Sequence, residues 1–458
     1  MSSTGTTTIT PFTKVLIANR GEIALRIIRA CRELGIQSVA VYSQADADSL
    51  HVQLADEAYC VGPAPSVSSY LNVNNILSVA LMAGVDAIHP GYGFLAENAD
   101  FADLCAEHKI KFIGPSGTMI NQMGDKANAK QTMQRVGMPV TPGLDGTTAD
   151  ADIIRAWGDQ VGYPIILKAS AGGGGKGMRI AEKSSDVEGQ LQAARSEAKA
   201  AFGNDDIYVE KYLKNPRHIE FQVLADMYGN VVHLNERDCS IQRRHQKLLE
   251  EAPSPVMTPE LREKMGSAIL KAVRKIGYEG VGTIECLLDA DNNIYFMEMN
   301  TRIQVEHPVT EMITGIDLIR EQIKVAMGHP LSITQEDIRL DGHAIECRIN
   351  AENPAKNFMP CPGKIDGYIA PGGPGVRVDS HMYTGYSIPP YYDSLMAKLI
   401  VWAPTRQQAI ARMQRALGEF AITGVETTIP FHQTLMANET FQKGEEVYTD
   451  FIARHALA

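Results

Sequence analysis

The sequence has no long hydrophobic run and no excess of positive charge. No apolar stretch approaches the roughly 20 residues that span a bilayer, so a membrane protein is not expected. The 458 residues carry a formal net charge of −11, which argues against nucleic acid as the main ligand but leaves room for a local basic pocket. Hydrophobic residues make up 44% and charged residues 21%, which is typical of a globular protein of about three domains.

Paired cysteines are missing as well. The seven cysteines are scattered, odd in number and without a CxxC pair, which disfavours both a disulfide framework and a zinc site. We therefore expect reduced thiols in a cytoplasmic protein. The first ten residues, MSSTGTTTIT, contain no arginine and no apolar stretch, so they predict a disordered tail and not a cleaved signal.

Strand-like and helical segments alternate up to about residue 120. The pattern predicts parallel α/β layers in a Rossmann-like unit. Its strand-like segments are Lys14–Ala18, Ser38–Ser43, Asp86–His89 and Lys111–Ile113, and its first helical pattern is Glu22–Leu34. The first strand–helix turn, Asn19-Arg20-Gly21, lacks GxGxxG, which weakens a dinucleotide-binding interpretation.

The rest of the chain predicts an α+β arrangement. A smaller unit from about 140 to 212 contains a glycine-rich hairpin, and antiparallel strands follow it. A last unit begins at about 342 with HAIECRIN and closes with an amphipathic helix around Arg406–Gly418.

The segment IECLLDADNNIYFMEMN predicts a β-hairpin with an acidic turn. If Asp291–Asn292 form its tip, Glu285 lies opposite Glu298, and Asn300 and Arg302 share the face of Glu298 provided that the strand stays extended. Opposed carboxylates repel unless a cation lies between them, and Mg²⁺ prefers oxygen ligands and a substrate phosphate. A magnesium–nucleotide site is the first hypothesis; two solvated glutamates are the alternative.

A glycine-rich segment, SAGGGGKGM, lies between two strand-like runs. Four successive glycines let backbone amides approach a phosphate, although no Ser or Thr follows Lys176-Gly177 as in a P-loop. A phosphate-binding flap is favoured over a flexible linker. Lys126 and Lys168 could each place a charge on phosphate oxygens, but either taken singly is more typical of a solvated surface lysine.

Three further segments have competing interpretations. The alternating His218–Gln222 predicts a half-buried strand whose polar face lines a pocket or faces solvent. A basic cluster in RDCSIQRRHQKLLEE suits an anion pocket better than nucleic acid, and Cys239 within it is expected to be a plain buried thiol. Lys398, in DSLMAKLIVW, is rejected as a biotin-attachment lysine because its surroundings are strand-like and apolar.

The chain resembles biotin carboxylase, an ATP-grasp enzyme, from about residue 12 to 455. The resemblance rests on the motifs NRGEIALRIIRA, HPGYGFLAEN, GDKANAK, SAGGGGKGM, EKYL, RDCSIQRRHQK and EMNTRIQVEHPVTE. It implies a Rossmann-like domain at 12–125, an ATP-grasp domain at 126–335 with a mobile lid at about 140–212, and a biotin carboxylase C-terminal domain at 342–455.

The resemblance also implies a role for residues at matching positions. ATP contacts are expected at Lys126, Lys168, Gly174, Gly175, Glu210, Lys211, Tyr212, Leu213, His218, Gln242 and His245. Glu285 and Glu298 match the acids that bridge two Mg²⁺ or Mn²⁺ ions, and Asn300 matches a third ligand. The bicarbonate pocket is expected at Lys247, Arg302, Gln304 and Val305. Glu306 matches the general base, which the adjacent Arg302 is expected to keep ionised, and Arg348 matches the arginine on biotin's ureido oxygen.

The implied reaction is ATP-dependent carboxylation of biotin by bicarbonate through carboxyphosphate. Biotin is then a substrate borne by a biotin carboxyl carrier protein, because no carrier or carboxyltransferase region follows residue 458. The expected partners are that carrier, carboxyltransferase subunits and a second copy of the chain. Acetyl-CoA carboxylase is the expected setting, with pyruvate, propionyl-CoA or 2-oxoglutarate carboxylase left open. Another ATP-grasp ligase, such as a carbamoyl-phosphate enzyme, and a nucleotide-binding module without turnover are the remaining alternatives.

Overall fold

The computed structural model describes residues 9–144, 146–170 and 177–457. Its amino-terminal part is a parallel sheet of five strands in the order β3-β2-β1-β4-β5, with helices around it. The strands are β1 (Lys14–Ile17), β2 (Gln37–Ser43), β3 (Glu57–Gly62), β4 (Ala87–His89) and β5 (Lys111–Phe112). The helices are α1 (Gly21–Glu33), α2 (Leu50–Leu54), α3 (Val73–Ala83) and α4 (Ala99–Glu107). The predicted Rossmann-like arrangement is confirmed.

The turn between β1 and α1 positions a neighbouring loop. Gly21 begins α1 with φ +69°, a conformation that glycine adopts without strain. Asn19 donates hydrogen bonds to the carbonyls of Pro90 and Tyr92, at 2.7 Å each. The turn therefore holds the HPGYG segment in place through a side chain, in a manner unrelated to dinucleotide binding.

Two helices lead from this unit to a small three-stranded sheet in the order β7-β6-β8. The two helices are α5 (Gly117–Gly124) and α6 (Lys126–Arg135). The sheet and its own two helices consist of α7 (Ala151–Val161), β6 (Ile165–Ala169), β7 (Met178–Ala181), α8 (Val187–Phe202) and β8 (Ile207–Lys211). Strands β6 and β7 pair antiparallel, as predicted for the glycine-rich hairpin. We call α7, α8 and β6–β8 the lid; its core includes Ile154, Leu167, Leu191 and Val209.

An antiparallel sheet of eight strands forms the floor of the molecule, in the order β13-β12-β9-β10-β11-β14-β19-β18. Its strands are β9 (Arg217–Ala225), β10 (Val231–Arg243), β11 (Gln246–Ala252), β12 (Gly280–Leu288), β13 (Ile294–Asn300), β14 (His343–Asn350), β18 (Val376–Ser380) and β19 (Leu395–Ala403). Because β11 pairs with β14, the sheet runs without a break from the central part of the chain into the carboxy-terminal part.

The remaining elements cover this sheet. They are the helices α9 (Pro259–Ile276), α10 (His307–Thr314), α11 (Leu318–Ala326), α12 (Arg406–Glu419), α13 (Ile429–Ala437), α14 (Glu439–Lys443) and α15 (Phe451–Arg454), and the short strands β15 (Glu352–Asn353), β16 (Met359–Pro360), β17 (Gly367–Ile369) and β20 (Ala421–Thr423). Apolar residues of β14, β19 and α12 form a large core, with Leu399 and Met413 fully buried. Within the described residues, no helix is long and apolar enough to cross a membrane.

Candidate active site

A cavity of about 690 Å³ lies between the lid and the floor. Eighteen of the predicted site residues line it: Lys126, Lys168, Glu210, Lys211, Tyr212, Leu213, His218, Gln242, His245, Lys247, Glu285, Glu298, Asn300, Arg302, Gln304, Val305, Glu306 and Arg348. Gly174, Gly175 and Lys176 lie outside the described residues. Residues up to 222 positions apart in the chain are thereby brought to one place (126 to 348).

The predicted hairpin is formed by β12 and β13, and Glu285 pairs with Glu298 as predicted. The route to this register differs from the prediction. The turn is the loop Asp289–Asn293, in which Asp289 accepts hydrogen bonds from the amides of Asp291 and Asn293 at 2.9 Å each. Near the turn the pairing is shifted by one residue, and a β-bulge at Met297 corrects it before Glu298 is reached.

The side chains around Glu285 are compatible with the hard-cation hypothesis. The side-chain N–H groups of Asn300 and Gln304 both donate to one carboxylate oxygen of Glu285, at 2.8 and 2.6 Å. Across the strand pair, Glu298 contacts the ammonium of Lys126 at 2.7 Å. Carboxylate and amide oxygens on one face are the ligands that Mg²⁺ prefers. The residues present therefore fit a divalent cation beside a phosphate.

His218 lies under the same carboxylate. Its Nε2 is 3.1 Å from Glu285 and 3.6 Å from Glu220. Burial lowers the pKa of the His218 imidazole, but Glu285 outweighs burial and raises it to about 9. The polar face of His218–Gln222 is thus buried, with 6% exposure at His218 and none at Glu220 and Gln222. The solvent-facing interpretation of this strand is wrong, and His218 is the residue of its polar face that lines the cavity.

The lid end of the cavity carries lysines around one acid. Lys168 contacts one carboxylate oxygen of Glu210 at 2.6 Å, and Lys130 contacts the other. Lys130 was not among the predicted site residues. Burial lowers the pKa of Lys130, although Glu210 acts in the opposite direction. The ammonium of Lys168 also lies 5.9 Å above the ring centroid of Tyr208. These contacts place positive charge at the mouth of the cavity, where an anionic ligand can bind.

An apolar wall stands beside the hinge Glu210–Leu213. Ile166 and Met178 of the lid and Leu287 and Phe296 of the floor are apolar residues that line the cavity. The amide of Lys211 donates to the carbonyl of Pro142 at 2.8 Å, so the hinge backbone is tied to the segment that leads into the lid. A flat apolar slot next to backbone groups suits a nucleobase.

Glu306 lies at the other end, where a loop enters α10. One of its carboxylate oxygens contacts Lys247 at 2.6 Å and the other contacts Arg348 at 2.9 Å. The group is 2% exposed. Burial raises its pKa, but Lys247 and Arg348 outweigh burial and the neighbouring Glu220, so the pKa is lowered. The carboxylate is therefore ionised at neutral pH, as a proton acceptor must be.

Arg302, the expected partner of Glu306, acts on it by charge alone: among the described residues its direct contacts are with other groups. Strand β13 ends at Asn300, so Arg302 is not on an extended strand. Its guanidinium donates to Glu97 at 2.9 Å and to the side-chain oxygen of Asn300 at 3.0 Å. Arg302 still reaches the cavity, but Lys247 and Arg348 keep Glu306 ionised. Sequence adjacency was misleading because the chain leaves the strand geometry at this point.

Lys247 is surrounded by three carboxylates. Its ammonium lies 2.5 Å from Glu220, 2.6 Å from Glu306 and 3.1 Å from Glu285. Burial lowers the pKa of Lys247, but these acids outweigh burial and raise it well above its usual value. Of the predicted basic cluster, Arg244, His245 and Lys247 line the cavity, whereas Arg243 stacks on Phe358 and bonds to Asn357.

Besides Lys130, three charged residues that pack beside the cavity without lining it were not among the predicted site residues: Glu220, Arg237 and Glu250. Arg237 is fully buried and donates to Glu220 at 2.5 Å and to Gln304 at 2.7 Å, with three further bonds to neighbouring side chains. Glu250 accepts from Arg348. Alternation signals only Glu220, in HIEFQ, because Arg237 and Glu250 lie in NERD and LLEE, which do not alternate. The burial of these residues depends on the helices packed on the sheet.

The two rejected candidates are structural. Cys239 is fully buried, and burial raises the pKa of its thiol well above the usual value, so it is a poor nucleophile. Lys398 has no exposed surface, and its ammonium donates to the carbonyl of Val305 at 2.9 Å and lies 3.1 Å from Glu22. A biotin ligase could not reach it.

Comparisons with known proteins agree with this geometry. Residues 11–120 match the biotin carboxylase N-terminal domain, 125–334 the ATP-binding domain of the carbamoyl-phosphate synthase L chain, and 346–454 the biotin carboxylase C-terminal domain. The chain is 61% identical to biotin carboxylase 1 of Bacillus subtilis over 433 residues, covering 94% of this chain and 96% of that protein. It is 59% identical to a pyruvate carboxylase subunit of Methanothermobacter thermautotrophicus, covering 96% of this chain and 89% of that protein.

A solved structure is also similar to this chain over nearly its whole length. The biotin carboxylase domain dimer of Hydrogenobacter thermophilus 2-oxoglutarate carboxylase, in complex with MgADP, ADP and bicarbonate, has a TM-score of 0.92 and 53% identity, covering 97% of this chain and 98% of that one. The fold and the cavity thus define an ATP-dependent ligase of the ATP-grasp class. Within that class, the chain belongs to the biotin carboxylase family.

Proposed function

We propose that this chain carboxylates biotin on a carrier protein, using ATP and bicarbonate, as the first half-reaction of an acetyl-CoA carboxylase. The observation that carries the proposal is Glu306, whose two oxygens bind Lys247 and Arg348 in the same cavity that Lys126 and Lys168 line. A carboxylate held between two cations, in the same cavity as the proposed phosphate-binding lysines, can accept a proton from an anionic substrate during phosphoryl transfer.

ATP binds with its adenine in the apolar slot beside Glu210–Leu213 and its phosphates toward Lys126 and Lys168. Gly174 and Gly175 belong to the phosphate-binding flap, and His218, Gln242 and His245 complete the nucleotide site. Glu285, Glu298 and Asn300 would hold Mg²⁺ or Mn²⁺, which when bound would supply positive charge beside the phosphate oxygens.

Bicarbonate binds against Lys247, Arg302, Gln304 and Val305. Glu306 accepts its proton, and a bicarbonate oxygen attacks the γ-phosphorus of ATP, with ADP as the leaving group. The carboxyphosphate formed breaks down to CO₂ and phosphate. The phosphate removes the ureido N–H proton of biotin, and the nitrogen attacks CO₂ while Arg348 stabilises the negative oxygen.

The assembly around this chain is part of the proposal. A homodimer is supported by the dimeric 2-oxoglutarate carboxylase domain, and the domain limits 12–125, 126–335 (lid about 140–212) and 342–455 are supported by the three family matches. A cytoplasmic location is supported by seven unpaired cysteines. Pyruvate and 2-oxoglutarate are alternative acceptors of the carboxyl group, because two relatives are subunits of pyruvate carboxylase and 2-oxoglutarate carboxylase. In each case the acceptor would be bound by a carboxyltransferase subunit.

The test is ATP hydrolysis by the purified chain with bicarbonate, biotin and Mg²⁺ varied separately. Hydrolysis that requires bicarbonate and is raised by biotin supports the proposal. Ammonia-dependent turnover supports a carbamoyl-phosphate enzyme, and nucleotide binding without turnover supports a regulatory module. Co-purification with a carboxyltransferase, assayed with acetyl-CoA, pyruvate and 2-oxoglutarate, then identifies the acceptor.

A further inference from the structure

The guanidinium of Arg348 is held by two carboxylates from different elements. Glu306, at the start of α10, contacts its Nη2 at 2.9 Å. Glu250, on β11, accepts from its Nε at 2.7 Å, and the same oxygen lies 2.5 Å from Nη2. The arginine carbonyl is fixed as well, because Thr428 donates to it at 2.9 Å and His432 lies 2.8 Å from it. With the backbone fixed, the two acids determine where the guanidinium points.

The two acids differ in access to the cavity. Glu306 lines it, whereas Glu250 is fully buried and is not among the residues that line it. In the proposed reaction Glu306 becomes neutral when it takes the proton of bicarbonate. Its charge-assisted bond to Arg348 then weakens, at the stage when biotin must be oriented. Glu250 is out of reach of bicarbonate and keeps its bond to Arg348 through this change.

A second buried acid lies directly across from Glu250. Glu346, on β14, pairs with Glu250 in register and is also fully buried. Within the described part of the chain, neither of its carboxylate oxygens has a hydrogen-bond partner. Burial raises the pKa of Glu346 well above its usual value, although Lys398 acts in the opposite direction. Within the described part of the chain, Glu250 is the member of this pair whose carboxylate contacts Arg348.

We propose that Glu250 is a positioning residue, which keeps Arg348 directed at the ureido oxygen of biotin after Glu306 has been neutralised. The inference rests on the proposed function and concerns only its second step, the carboxylation of biotin. Glu250 touches neither ATP nor bicarbonate, so its loss should separate biotin carboxylation from the bicarbonate-dependent ATP hydrolysis that precedes it.

The experiment compares Glu250→Gln with Glu346→Gln, a matched control at the same depth on the paired strand. Both variants and the unmodified protein are assayed for bicarbonate-dependent ATP hydrolysis without biotin, and for carboxylation over a range of biotin concentrations. The assay is run at pH 8, above the pKa of about 7 to which burial, opposed by Arg348, raises Glu250.

For Glu250→Gln, the ratio of biotin carboxylation to biotin-independent hydrolysis should fall by about ten- to a hundredfold, the range for one charge-assisted hydrogen bond. The loss should appear as a higher KM for biotin, a lower kcat, or both. Glu346→Gln leaves the contacts between Glu250 and Arg348 in place, so its ratio should match the unmodified protein. Glu250→Asp keeps the charge and should restore part of the ratio.

Two results would overturn the inference: an unchanged ratio in Glu250→Gln, or an equal loss of both activities, which means a general structural role. If Glu250→Gln does not fold, Glu250→Asp is tested alone, and an unchanged ratio there overturns the inference because the shorter acid cannot keep the same geometry. If the unmodified protein itself lacks both activities, the proposed function fails instead.

Discussion

The floor and the lid carry their charged residues in different ways. On the floor, Glu220 and Arg237 are fully buried and 2.5 Å apart. In the lid, the partners of a typical pair, Arg195 and Asp205, have side chains 40% and 34% exposed. A buried charge is costly to desolvate and requires several partners, whereas an exposed pair contributes little and is easily broken.

This difference suits two tasks. In the proposed reaction, the floor holds the groups that act on bicarbonate and biotin, and their buried ion pairs would keep them in place as charge develops. The lid has its own core and places Lys168 on the cavity wall, which fits the proposal that it closes on a nucleotide. Four predictions test this contrast.

The largest effect is expected on the floor at Glu306. Glu306→Gln keeps the shape but cannot accept a proton, so bicarbonate-dependent ATP hydrolysis should fall by about 10²- to 10⁴-fold. ATP affinity, measured by calorimetry, should barely change because the nucleotide binds at the other end of the cavity.

Glu306 could instead be a purely structural partner of Lys247 and Arg348. In that case Glu306→Gln would lower the melting temperature and leave turnover per folded molecule nearly intact. Measuring both properties on one preparation separates the two roles.

The second effect concerns stability and the buried ammonium of Lys398. Lys398→Met removes the partner of buried Glu22 and the donor to the Val305 carbonyl. Leaving one member of a buried pair uncompensated should cost about 3–5 kcal/mol of unfolding free energy. Urea denaturation measures this loss. Lys443→Met, at an exposed lysine of α14, is the control and should stay within about 0.5 kcal/mol.

In the lid, the expected effect is on binding. Lys168→Ala should weaken ATP affinity by roughly ten- to a hundredfold, the range for one charge-assisted contact, without loss of fold. Lys199→Ala, at a lid lysine whose side chain is 71% exposed, is the control and should bind ATP normally. Unchanged affinity in Lys168→Ala would place that lysine outside the nucleotide site.

The smallest expected effect is a pH dependence of the free energy of unfolding, which comes from buried histidines outside the lid. Buried His432 has its pKa lowered by burial to about 4, below the 6.5 expected when unfolded. Because the unfolded chain binds the proton first, this histidine's contribution to stability is complete well above pH 6.5 and is lost as pH falls toward 4. Between pH 7 and 6 the loss is about 0.7 kcal/mol for each such residue.

His51 and His233 have similarly lowered pKa values of about 4, also from burial, while residues 140–212 contain no histidine. Urea titrations at pH 7 and pH 6 should therefore show a falling unfolding free energy. The fall should be smaller by about 0.7 kcal/mol in His432→Gln. An equal fall in that variant would show that His432 is protonated in the folded state.

Local sequence patterns predicted the hairpin well. Alternating apolar residues around an Asp/Asn-rich turn were enough to place Glu285 opposite Glu298, because side chains on a strand alternate with a period of two. The exact turn was wrong, and a bulge at Met297 compensated for the error. A bulge is a tertiary adjustment of strand twist, and no residue type in this segment signals it.

The burial of charge was not predictable in the same way. Glu220 lies in the alternating segment HIEFQ and Glu250 in the acidic segment LLEE, both of which would suit a solvent-exposed strand, yet both residues are fully buried. They are buried because helices such as α9, α10 and α12 pack on the floor. Lys398, which resembled an attachment site, became a buried support for Val305 for the same reason.

The order of residues along the chain specified the strands, the turns and the chemical groups available, since these depend on neighbours a few positions apart. The partners of each charge came from folding. Glu306 follows Arg302 in sequence but binds Lys247 and Arg348, from strands 59 and 42 positions away. Desolvation makes such pairings obligatory, because an isolated buried charge is too costly, and which cation is near enough is a property of the packed sheet.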